Sequence, residues 1–98
     1  MRSLSMAVAD IIRHKLAEKF APTELVVKDE SARHAGHSGA RPGGETHFDV
    51  RIVSVAFDGL SRIERQRRVY AELSEELKSQ IHALSLTTLT PAEVWQEH

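Results

Sequence analysis

Residues 47–53, HFDVRIV, alternate apolar and polar: Phe48, Val50 and Ile52 fall on one side, Asp49 and Arg51 on the other. That is the period of a half-buried strand. A turn at Asp58-Gly59 follows, and Ser61 with Glu64 forms an S-x-x-E capping box that opens a helix. Val69, Tyr70, Leu73 and Leu77 give that helix an apolar stripe, and IHALSL, residues 81–86, returns to alternation with His82, Leu84 and Leu86 on one face. Strand, helix, strand in one sheet demands a right-handed crossover that leaves the two strands parallel. No other feature of the chain restricts its fold as tightly.

The remaining elements arrange themselves around this unit. Val8, Ile11, Ile12, Leu16 and Phe20 recur at a helical period, and Pro22 marks the stop. ELVVKD, residues 24–29, is short and β-branched and reads as a strand. Thr90-Pro91-Ala92-Glu93 is a second capping box, with proline at the first helical position, before a short helix containing Trp95. The expected order is helix, strand, strand, helix, strand, helix: an α+β domain with a three-stranded mixed sheet packed by helices. Ninety-eight residues hold one such domain, residues 1–98, and one modest core.

Between the first two strands lies HAGHSGARPGGETHF, residues 34–48, with three of the six histidines and four of the five glycines. Ordering so long a loop costs backbone entropy with almost no apolar burial to offset it, which calls for a functional account. Parallel strands begin at the same edge of a sheet. The crossover therefore predicts that His82, opening the third strand, lies near His47, opening the second, and near the loop that leads into it. His34, His37 and His82 become candidates for one metal site, since imidazole suits iron, zinc and copper and glycine lets the loop aim its rings. His47 reads as a strand-edge residue and His14 as a solvated helix residue.

The chain has no cysteine, which excludes disulfides, thiol catalysis and a self-contained thiolate metal site and fits a reducing compartment. The N-terminal stretch has neither the apolar run of a secretion signal nor the arginine content of a presequence, so cytoplasm is the expected location. No apolar run is long enough to span a bilayer. Thirteen basic and fourteen acidic residues leave a net charge of -1, so attraction to nucleic acid has to be local. Its candidate seat is Arg62, Arg65, Arg67 and Arg68 at the start of the long helix, offset in part by Glu64 and Glu72.

The run DESARHAGHSGARPGGETHF, then IVS, FDGLSR, VY, IHALSL and TPAE, resembles the BolA family over nearly the whole chain and in the family's order. The resemblance implies a KH-like (class II) BolA fold and a place beside monothiol glutaredoxins, with which BolA-like proteins share a bridging 2Fe-2S cluster. It implies His82 of IHALSL as the C-terminal ligand and His34 of DESARH as the loop ligand. The inserted AGHSGAR leaves His37 as a rival for the second position. In that picture the glutaredoxin cysteine and glutathione, bound through the partner, supply the thiolates that this chain lacks. Neutral imidazole in place of thiolate should raise the cluster's potential and make ligation sensitive to pH.

The resulting expectation is a non-enzymatic adaptor in iron-sulfur cluster assembly, trafficking and iron homeostasis, a monomer alone and a heterodimer with its partner. The alternative is a DNA-binding transcriptional regulator using the KH-like fold and the arginine-rich helix. Five aromatic residues leave few rings for base stacking, and Gly36-His37-Ser38-Gly39 reads G-x-x-G between strands instead of between two helices. Asp29, Ser31 and His34 lie too close along the chain for triad geometry, and zinc held by three histidines is the remaining enzymatic option.

Overall fold

The computed structural model describes residues 7–30 and 47–97. Helix α1 (Val8–Phe20) is followed by strands β1 (Glu24–Asp29) and β2 (His47–Val53) and a single 3₁₀ turn at Val55–Phe57. Helices α2 (Arg62–Glu72) and α3 (Ser74–Ser79), strand β3 (Ala83–Leu89) and helix α4 (Pro91–Gln96) complete the elements among the described residues. The sheet order is β1-β2-β3, with β1 antiparallel and β3 parallel to β2. The mixed three-stranded sheet and the crossover expected from the sequence are both present.

Alternation in β2 is realised as expected: Phe48, Val50 and Ile52 are buried against the helices, while Asp49 and Arg51 are only half-buried on the opposite face. Ile12, Leu16 and Phe20 of α1, Val69 of α2 and Leu73 at the junction of α2 and α3 close over that apolar row. Phe57 from the 3₁₀ turn seats against Phe20, ring centroids 5.2 Å apart. Each buried side chain of this size contributes about 1.5–3 kcal/mol over its exposed state.

Both capping boxes form. Ser61 Oγ accepts from the Glu64 N–H while Glu64 accepts from the Ser61 N–H, and Thr90 and Glu93 do the same at α4. Gly59 turns the chain at φ +80°, a conformation that costs glycine little. Helix α1 ends with Ala21 in the left-handed region, and the buried Ser54 hydroxyl donates to the Phe20 carbonyl at 2.6 Å.

Three expectations need correction. The helix expected to run continuously past Leu77 bends at Leu73 (φ -102°, ψ 17°), although Leu73 N–H still reaches Val69 and Leu77 N–H still reaches Leu73. Tyr70, assigned to the apolar stripe, is 40% exposed, because the helix turns its Val69–Leu73 line to the core and leaves Tyr70 on the flank. Strand β3 begins at Ala83, and the bend before it places His82 in solvent instead of on the buried face with Leu84 and Leu86.

Candidate functional site

The parallel register pairs His47 with Ala83, so β2 and β3 open at one edge of the sheet. Strand β1 ends at that same edge, Asp29 opposite Phe48, and the Glu30 N–H donates to the His47 carbonyl at 2.8 Å. Glu30 and His47, the described residues that flank 31–46, thereby lie at the rim on which His82 sits. The crossover prediction holds for His82 and His47, which the register brings to one edge.

His82 is held there by its neighbours. Ile81 is buried in the core, and its N–H and that of Gln80 both donate to the Glu76 carbonyl, at 2.8 and 2.7 Å, closing α3. Leu84, on the other side, packs against the core's edge. An apolar anchor to each side leaves the imidazole exposed at a defined point of the chain. Glu76 itself is buried and joins α3 to α1 through Lys15, Nζ to Oε2 2.9 Å; that hydrogen bond raises the Lys15 pKa.

His47 is half-buried at the start of β2, and its backbone is engaged by Glu30. His14 is exposed on α1, as expected. His34 and His37, the two loop candidates, lie outside the described residues, as do Ser31 of the imagined triad and the G-x-x-G run. Among the described residues no three histidine or carboxylate side chains cluster closely enough to hold a metal ion.

The arginine cluster divides. Arg62, Arg67 and Arg68 are exposed, whereas Arg65, grouped with them as a phosphate contact, is 6% exposed and turned inward. Its guanidinium donates to both Glu93 carboxylate oxygens at 2.7 and 3.0 Å, to the Thr88 carbonyl at 3.1 Å and to the Leu60 carbonyl at 3.0 Å. With four of its five N–H donors spent inside the fold and only 6% of the residue exposed, this guanidinium is not placed to clamp a phosphate. Arg65 is therefore the latch joining α2, β3 and α4. Its hydrogen bonds, with that of the Thr90 N–H, hold the Glu93 carboxyl down at about 2. Sequence reasoning found Glu93 only as a capping residue, because its second partner is 28 residues away.

The sheet face opposite the core carries a shallow depression lined by Val26, Lys28, Asp49, Arg51 and Thr87. Arg51 spans it, bonded to Glu24 at 3.0 Å and Glu97 at 2.9 Å, and these partners raise its pKa. The described helices include none long and apolar enough to cross a membrane.

Comparison with known proteins places these features in a family context. Residues 16–93 match the BolA-like protein family. SufE-like protein 1, chloroplastic/mitochondrial, of Arabidopsis thaliana is 52% identical over 85% of this chain, and human BolA-like protein 1 is 46% identical over 89%. The aligned parts make up 24% and 60% of those two proteins, so the chain spans only a fraction of either. The DNA-binding transcriptional regulator BolA of Haemophilus influenzae is 40% identical over 90% of the chain and 82% of its own length. Among solved structures, BolA1 from Arabidopsis thaliana superimposes with a TM-score of 0.81 at 44% identity, covering 93% of this chain and 98% of that one.

Proposed function

The chain belongs to the BolA-like protein family, and on that premise we propose that it is a non-enzymatic adaptor for iron-sulfur cluster trafficking and iron homeostasis, sharing a bridging 2Fe-2S cluster with a monothiol glutaredoxin. The observation that supports this reading is the position of His82: an exposed imidazole, anchored on both sides, on the rim where the histidine-bearing loop begins and ends. A chain without cysteine offers imidazoles and needs thiolates from elsewhere, here the glutaredoxin cysteine and its bound glutathione. His82 is the first ligand in this scheme, and His34 or His37 the second. The cluster is cargo, held between two molecules and passed on, and histidine ligation makes its release responsive to pH. A reducing compartment suits it; cytoplasm is the location we propose, while the plant relative is named for chloroplast and mitochondrion.

Reconstitution with a monothiol glutaredoxin and glutathione tests the assignment. His82→Ala should abolish the visible circular dichroism that distinguishes the mixed complex from the glutaredoxin alone. His34→Ala and His37→Ala should separate, only one of them altering the spectrum. A wild-type spectrum from His82→Ala would remove His82 from the ligand set.

A second reading, DNA binding, draws on the name of the Haemophilus relative and on the exposed Arg62, Arg67 and Arg68. These three guanidiniums, without Arg65, are the phosphate contacts it proposes.

A further inference from the structure

Strand β3 forms one edge of the sheet. The Ser54 N–H donates to the Leu89 carbonyl at 2.9 Å, so Leu89 turns its backbone polar groups toward β2. With an unbroken parallel register, Ala83, Ser85 and Thr87 do the same, and Leu84, Leu86 and Thr88 direct theirs outward. Arg65 takes the outward Thr88 carbonyl. The N–H and C=O of Leu84 and Leu86 have no partner among the described residues.

An edge of this kind is normally protected by charge or proline. Strand β1, at the opposite edge, carries Glu24, Lys28 and Asp29 in its six residues. Strand β3, ALSLTTL, carries neither a charge nor a proline.

We infer that the outer edge of β3 is a self-association surface, on which a second copy of the chain adds its own β3 antiparallel to extend the sheet to six strands. The Arg65 cap selects the register. A two-fold axis at Ser85 pairs Leu84 with Leu86 of the second copy and the reverse, satisfying the N–H and C=O of all four leucines and leaving both Thr88 carbonyls to Arg65. Centring the pair on Leu86 instead would set Leu84 against the Thr88 carbonyl that Arg65 already occupies. In the Ser85 register the half-buried Leu84 and Leu86 continue the apolar face across the junction, and no charged side chains within the strands oppose each other. His82 then lies beside Thr88 of the second copy. The self-paired edge therefore covers the rim proposed for cluster sharing, a consequence that rests on the function proposed above; the pairing itself does not.

Sedimentation equilibrium on the full metal-free chain without glutaredoxin tests the pairing independently of any cluster. The wild type should show a reversible monomer–dimer equilibrium, and amide exchange at Leu84 and Leu86 should slow as concentration rises. Ser85 is exposed, and at the two-fold axis a residue there faces its own copy at close range. Ser85→Lys and Ser85→Glu, each alone and checked for fold by circular dichroism, should lose most of the dimer at the concentration where the wild type is half dimeric. An equimolar mixture of the two should recover it. A wild type that stays monomeric throughout, dimers without concentration-dependent protection at Leu84 and Leu86, or single variants that dimerise like the wild type would each overturn the inference. Protection conferred only by an added extended peptide would assign the edge to a foreign strand and equally overturn it.

Discussion

Arg65 and Glu93 show how one residue pair can hold several elements. The guanidinium is buried, bidentate to the carboxylate, and bonded to carbonyls at the start of α2 and the end of β3. Removing one member of a buried pair strands the other without compensation, at about 3–5 kcal/mol. Glu93 keeps 35% of its side chain exposed, so solvent screening discounts that figure, and Glu93→Gln should lower stability by about 1–2 kcal/mol in urea unfolding. It should also change the pH profile. The Glu93 carboxyl is depressed from 4.5 to about 2 in the fold, so its contribution is complete above about 4.5 and disappears as the pH falls through 2. The wild type should lose stability across that window, and the variant should lose measurably less; identical slopes would refute the latch. None of this was legible beforehand. Arg65 sits in a run of arginines and carries no local mark of burial, and only the folded crossover brings Glu93 to it.

At the scale of elements the sequence was more informative, because strands and helices bury one face each and the two periods differ. β1 follows ELVVKD, α1 spans Val8–Phe20, and the two capping boxes stand where serine, threonine and glutamate marked them. The bend at Leu73 escaped notice, since Leu73 and Leu77 continue the apolar period across it and neither glycine nor proline interrupts the helix. The exposure of Tyr70 follows from which edge of the stripe meets the sheet, which spacing alone does not fix. Helix α2 also carries the test of the DNA-binding reading. Arg67→Ala removes an exposed charge and should reduce the slope of log K against log salt by about 0.9, whereas Arg65→Ala should weaken binding only through the fold. A slope unchanged in Arg67→Ala would take this face out of phosphate contact. For the candidate site, the rim was legible because parallel strands share a starting edge; the outward turn of His82 was not, because it depends on a bend before Ala83 that the alternation of IHALSL conceals.

For the whole molecule, the sheet sets the geometry on which function is proposed to depend. Its one parallel pair and its one antiparallel pair bring the end of β1, the start of β2 and the start of β3 to a single rim. The core lies on one face, and the opposite rim carries the Val53–Leu89 end beside the Arg65 latch. The account's central claim is that the His82 imidazole binds iron in a cluster shared with a thiolate-bearing partner. Electron spin-echo envelope modulation of the reduced mixed cluster, prepared from this chain with ¹⁵N-histidine and an unlabelled monothiol glutaredoxin, tests it most directly. The account predicts ¹⁵N couplings of directly bound imidazole, with the His82 contribution absent in His82→Ala; a wild-type spectrum free of such couplings, or one that His82→Ala leaves intact, would contradict it.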